Sequence, residues 1–268
     1  MLPTQAVGQP WGDDRERLGV MRHNSLLIWM LAILAVAALC SAAPEPSLVP
    51  KNWELNFRYR DPERIAVTVP GRAKPVIYWY MLYTVENPGD EGQEFTTGSQ
   101  KPGESEIEKW SRIRFAPTSR PAGGPPKFYP TFTIVTDTLQ VVESEIGVSP
   151  EAFRAIQRRW NNPLLLPASK MNGEILVGAD RARHGVAIWP DFDPKAREFT
   201  VYITGLSGET ARIANPAFNA KEPVGPRNPR VFILHKTLSA PYRLPGGSEA
   251  RALAVPERLS REPMWVMR

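Results

Sequence analysis

From residue 52 onward, apolar and aromatic side chains come in short runs that alternate with polar ones, and each run stops at a turn. Leu55, Phe57 and Tyr59 alternate, as do Ile65, Val67 and Val69, with Asp61-Pro62-Glu63 between them. A period of two puts one set of side chains on one face, so both runs predict half-buried strands. The stretch from Pro75 to Glu86 is different. Val76, Ile77, Tyr78, Trp79, Tyr80, Met81, Leu82, Tyr83 and Val85 leave almost no polar position. β-Branched and aromatic side chains at that density predict a central strand, closed by the turn sequence Asn87-Pro88-Gly89-Asp90.

Further strands are predicted at 131–135 and 139–143, joined through Asp137-Thr138, and at 185–189, 198–204, 230–236 and 265–267. One helix interrupts them. Ser149 suits the N-cap, Pro150 suits the first helical position, and Phe153, Ile156 and Trp160 fall on one face. Arg158 and Arg159 then lie at the negative end of the helix dipole. Residues 91–127 stand apart, rich in glycine, proline and charge, with a sparse apolar subset of Ile107, Trp110, Ile113 and Phe115. They predict a long insertion, mobile at its ends and docked through its middle. With 28 prolines suited to loops and edges, the pattern predicts a mainly β chain. Its architecture would be an antiparallel β-sandwich over residues 52–268, with one short helix and a long insertion loop at 91–127.

The front of the chain has another character. Residues 26–40 carry no polar side chain; Met21 and Arg22 precede them and Ser41-Ala42-Ala43 follow. A short positive region, an apolar core and small residues make an export signal over residues 21–42. The run is shorter than the roughly 20 residues that cross a bilayer as a helix, so a cut after Ala42 is expected. Left uncut, residues 26–43 would be the chain's membrane contact. Residues 1–20 fit poorly as the front of a signal, because Asp13, Asp14 and Glu16 offset Arg15 and Arg17. They read as a disordered extension, or as residues ahead of a true start at Met21. The proline-rich residues 43–51 read as a linker. The predicted location is the periplasm or cell envelope, either free or held by an N-terminal helix.

Composition narrows the chemistry. Cys40 is the one cysteine, and Leu39 stands before it where a lipid-modified signal has a small residue. The domain after residue 42 therefore has no disulfide, thiolate metal site or cysteine nucleophile. The net charge is +5, but Arg112 and Arg114, Arg154, Arg158 and Arg159, Arg181 and Arg183, and Arg258 and Arg261 are scattered. Such spacing, together with export, excludes nucleic acid as a partner.

Gly205-Leu206-Ser207-Gly208-Glu209 has its second glycine one position too early for a serine nucleophile elbow and reads as a turn. Asp191-Phe192-Asp193 offers two carboxylates where calcium takes six to eight oxygens, and Pro194 follows, so it too reads as a turn. Trp53, Trp110, Trp189 and Trp265 lie near element ends, where an indole can stack on a sugar or anchor a core. The charged cluster Asp180, Arg181, Arg183 and His184, with Trp110 in the insertion, forms the candidate partner-binding set. No phosphate loop, zinc spacing, dinucleotide fingerprint or repeat occurs, so no cofactor, metal ligand or catalytic residue is predicted.

Four strings carry a resemblance: residues 78–89 (YWYMLYTVENPG), 132–137 (FTIVTD), 185–190 (GVAIWP) and 199–209 (FTVYITGLSGE), with the ending Trp265-Val266-Met267-Arg268. In these the chain resembles a group of uncharacterised exported proteins from planctomycete-type bacteria. Its layout is similar to immunoglobulin-like extracytoplasmic modules. The resemblance implies an immunoglobulin-like β-sandwich that mediates contacts. It departs from the group at residues 91–127, where the group's turn runs quickly into the next strand. The function expected is an exported, non-enzymatic interaction module that binds a protein or glycan of the envelope. The alternatives are an envelope hydrolase using carboxylates and a carbohydrate-binding module.

Overall fold

The computed structural model describes residues 44–48, 52–89 and 126–268, and the backbone of 111–113. The predicted export signal, Trp110 and most of the expected insertion lie outside the described residues. The chain divides into two compact units, Met1–Pro44 and Glu45–Arg268, and the account below concerns the second. No helix among the described residues is long and apolar enough to cross a membrane.

The strands in chain order are β1 (Asn56–Tyr59), β2 (Glu63–Val67), β3 (Val76–Glu86), β4 (Ser111–Ile113), β5 (Lys127–Phe128), β6 (Thr131–Thr136), β7 (Val141–Glu143), β8 (Leu166–Pro167), β9 (Gly173–Glu174), β10 (Arg183–Pro190), β11 (Glu198–Thr204), β12 (Thr210–Ala214), β13 (Val231–Arg243), β14 (Glu257–Arg258) and β15 (Met264–Met267). The fold is mainly β, and its two large sheets are antiparallel except where β8 joins β10.

β3 organises the first sheet. β10 pairs along one edge from Arg183↔Val85 to Pro190↔Tyr78, while β1 and β2 divide the other edge between them. β4, from within the expected insertion, extends this sheet by pairing with β1. The second sheet runs β12-β13-β11-β6-β7, with β14 and β15 also on β13.

The two sheets share one core. Phe57, Tyr59, Trp79, Met81, Tyr83, Val85, Ala187 and Trp189 of the first pack with Phe132, Ile134, Phe199, Val201, Ile203, Leu238, Ala240 and Tyr242 of the second. Tyr83 meets Phe132 at a ring separation of 4.7 Å, and Phe199 meets Tyr242 at 5.3 Å. The opposite face of the first sheet is also covered. Tyr78, Tyr80, Leu82, Val67, Val186 and Ile188 lie under the helix Pro150–Arg159, which contributes Ala152 and Ile156. A strand enclosed on both faces has no reason to alternate. This explains the unbroken apolar run of β3, where each enclosed large side chain contributes about 1.5–3 kcal/mol.

The helix begins and ends where its sequence predicts. Ser149 holds the extended N-cap backbone, although its hydroxyl makes no capping hydrogen bond. Trp160 leaves the helix and donates its indole N–H to the Tyr80 hydroxyl at 3.2 Å.

Three features depart from the sequence pattern. A second helix, the single turn Ser248–Arg251, is too short to carry a period. β12 alternates polar and apolar residues only over Thr210–Ile213, too short a run to announce a strand. β13 continues past residue 236 to Arg243 and passes through Pro241. That proline has no N–H to contribute to a ladder. Its carbonyl accepts from Leu259 on the edge away from β11, at the gap between β15, which pairs up to Ser239, and β14, which pairs from Tyr242. The missing donor falls where no strand needs it.

Candidate functional site

Between β11 and β12 the chain leaves the edge of β13. Gly205 takes φ +86°, and a Cβ there would lie 2.5 Å from the Tyr129 carbonyl oxygen, so only glycine fits this bend. Residues 206–208 then pair with the incoming chain. Leu55 N–H donates to Leu206 O at 2.9 Å, Gly208 N–H donates to Trp53 O at 3.0 Å, and Glu54 bridges Ser207. The sequence Gly205-Leu206-Ser207-Gly208-Glu209 is thus a turn, as its glycine spacing predicts, and it receives a strand-like segment.

The excursion gathers a buried polar hub. Lys236, only 1 % exposed, donates from Nζ to the Ser47 carbonyl at 2.8 Å and to Glu54 Oε1, and it lies 3.4 Å from Glu209 Oε2. Its ammonium sits over the Trp265 ring, 5.0 Å from the centroid. Glu209 also accepts from the Ser47 amide at 3.0 Å and from the Ser47 hydroxyl. Ser47, in the expected linker, is therefore bound into the domain.

The two carboxylates respond in opposite directions. Burial pushes the Glu54 carboxyl above the usual range against the pull of Lys236, and its Oε2 is enclosed with no hydrogen-bond partner. Burial also opposes ionisation of Glu209, but the Ser47 hydroxyl and amide, with Lys236, outweigh it and hold that carboxyl below the usual range. One cation shared by two enclosed carboxylates is a clasp, closing the incoming chain onto the foot of β12 and β13.

From that foot β12 and β13 run outward as a two-stranded ribbon, registered from Thr210↔His235 to Ala214↔Val231. The shared core takes its β13 residues only from Leu238 onward. On the ribbon, Val231, Phe232 and Ile233 are 45 %, 42 % and 54 % exposed. Successive positions of a strand point to opposite faces, so both faces carry exposed apolar side chains. Asn228 ties the loop at the far end. It is buried and donates to the carbonyls of Asn219 and Glu222, and its Oδ1 accepts from the Asn219 amide at 2.9 Å.

The charged cluster predicted from sequence does not form one surface. Asp180 and Arg181 lie in an exposed turn and pair with each other at 3.1 Å. Arg183 turns back to hold the carbonyls of Glu174 (2.8 Å) and Met171 (3.4 Å). His184 belongs instead to a cross-strand row on the first sheet. Its Nδ1 is 3.0 Å from Thr84 Oγ1, and Arg58 stands on the other side of Thr84 and reaches Glu86 at 3.4 Å. Partial desolvation and the Arg58 guanidinium lower the His184 pKa from its ordinary value. Trp110 lies outside the described residues. Trp189 is fully enclosed and donates to Phe132 O at 3.2 Å, so it is a core anchor with no face free for a sugar. Asp191 accepts from the Trp79 indole at 2.9 Å and Phe192 stacks on that indole at 5.0 Å, which accounts for that turn without a metal.

Sequence reading missed Glu54, Lys236 and Glu209 as a group. A Lys at the end of one predicted strand, a Glu between Trp53 and Leu55 and a Glu closing the 205–209 turn carry no spacing signal. No protein family, no curated protein and no solved structure matches the chain.

Proposed function

We propose that this protein is an exported, non-enzymatic interaction module of the cell envelope, and that it binds a protein partner through the β12–β13 ribbon. The observation that carries the reading is the exposure of Val231, Phe232 and Ile233 on both faces of a ribbon only two strands wide. An isolated two-stranded ribbon is marginal in water, and adjacent exposed apolar residues mark interaction sites. Among the described residues β12 pairs with β13 alone, so its outer edge is open to a strand from a partner.

Export rests on the apolar run of residues 26–40. Two antiparallel sheets on a shared core support the immunoglobulin-like reading at the level of architecture. The hydrolase alternative requires two carboxylates facing substrate, about 5–10 Å apart. Glu54 and Glu209 do not supply them, because both are buried and share Lys236.

A photo-crosslinking residue at position 232, expressed in cells, tests the ribbon. One discrete cross-linked protein is expected, lost in the double variant Phe232→Ser, Ile233→Ser while a surface change at Leu259 leaves it intact. Absence of any cross-link, or one indifferent to the double variant, overturns the reading.

A further inference from the structure

Away from the ribbon, an open cleft of about 740 Å³ lies between the start of β11, the end of β13 and the loop that follows it. Among the described residues its cationic side chains are Arg197, Arg243 and Arg251, and its one acidic side chain is Glu198. Arg197 comes from one stretch and Arg243 and Arg251 from another, too widely spaced for any run in the sequence to announce them. Among the described residues no aromatic ring lines the cleft, and Gly246 and Gly247 place no side chain in it. Recognition there rests on charge and hydrogen bonding, not stacking.

Arg251 distinguishes this cleft from an ordinary basic surface. It is 7 % exposed, and arginine is almost never so buried unless paired. Among the described residues its Nη1 donates to the carbonyls of Lys195 (3.0 Å) and Ala196 (3.4 Å), it forms no ion pair, and its Nε is enclosed without a partner. Arg64 holds the Arg251 carbonyl at 2.5 Å, fixing the turn that carries it. Carbonyl dipoles orient a guanidinium but do not neutralise it, so its charge raises the potential of the cleft. Arg243 shares its charge with Glu257 at 2.9 Å. The Arg197 side chain makes no hydrogen bond or ion pair within the described residues.

We infer that this cleft binds an oxyanion, a phosphate or carboxylate group carried on a small molecule or on one unit of an envelope polymer. The uncompensated Arg251 sets the potential, and Arg197 and Arg243 supply planar forks that match two oxygens at once. Glu198 limits affinity from the rim. This inference stands apart from the ribbon and holds whether or not the ribbon binds a protein.

Calorimetric titration of the full chain with pyrophosphate and with digalacturonate, at low and at physiological salt, tests it. Saturable, salt-weakened binding of at least one titrant is expected. Arg197→Ala and Arg243→Ala, both at exposed positions, each weaken it about tenfold, the loss of one charge-assisted contact. Glu198→Gln tightens it about twofold to threefold by removing the rim charge. Binding of pyrophosphate alone assigns a phosphate ligand, and binding of digalacturonate alone assigns a uronate. If neither titrant saturates, or all three variants bind like the parent, the inference is overturned.

Discussion

Lys236 shows how much a single side chain decides. Replacing it by methionine removes the ammonium that Glu54 and Glu209 share, and breaking a buried pair from one side costs about 3–5 kcal/mol. The pH dependence has a defined sign. Glu209, held below the usual carboxyl range, contributes stability above the ordinary carboxyl pKa and loses it as pH falls through its depressed value. Glu54, pushed upward, does the reverse, since the folded form takes up a proton before the unfolded one does. In Lys236→Met the upward push on Glu54 grows, so part of the loss at pH 7 is recovered at pH 5. Denaturant unfolding at the two values checks this.

Leu139 is a second residue-scale case. It has φ +63° and is 85 % exposed, a left-handed position that costs a non-glycine residue about 1 kcal/mol. Leu139→Asn keeps the turn and is expected to stabilise by about 0.5 kcal/mol, read as a small rise in Tm.

At the scale of elements, cross-strand neighbours set what each position tolerates. Gly185 on β10 faces Tyr83 on β3, whose ring covers it; a Cβ there would meet Tyr83 Cζ at 2.3 Å. Tyr83 is enclosed by the shared core and cannot yield freely. Gly185→Ala should therefore cost about 1–3 kcal/mol by overpacking, measured as a lower denaturation midpoint at unchanged slope. The row Arg58–Thr84–His184 makes another prediction. Because the folded state disfavours the His184 cation, its contribution to stability is full above the ordinary histidine value of about 6.5 and is lost as pH falls below it. Arg58→Ala moves the His184 pKa upward in an NMR titration and flattens that dependence.

At the scale of the whole molecule, the shared core and the ribbon are separable. No side chain from residues 210–235 belongs to either buried cluster. Replacing residues 213–232 by Asn-Gly, a good two-residue hairpin turn, should leave a single cooperative unfolding transition with stability changed by less than about 1 kcal/mol. The same change removes Val231 and Phe232 and leaves Ile233 as the remaining exposed apolar side chain of the three. Two transitions, or a collapse of stability, would show the ribbon to be part of the folding unit.

Alternation and apolar density by themselves determined that the domain is mainly β, that β3 is central, and that one helix runs from Pro150. These are local properties, since the side-chain period follows directly from backbone geometry and from which faces are covered. Pro241 concealed the second half of β13, because a missing N–H is harmless only if the neighbouring strands break at the same place. The turn at 205–209 was legible, but its use was not. The meeting of Lys236 with Glu54 and Glu209, and the shared cleft of Arg197 with Arg243 and Arg251, join residues far apart in the chain, and periodicity carries no information about such groupings. Sequence reading grouped His184 with a charged cluster, whereas β-pairing places it in a row with Thr84 and Arg58. Tertiary structure alone decided which charges are enclosed, because desolvation depends on what the rest of the chain packs around them.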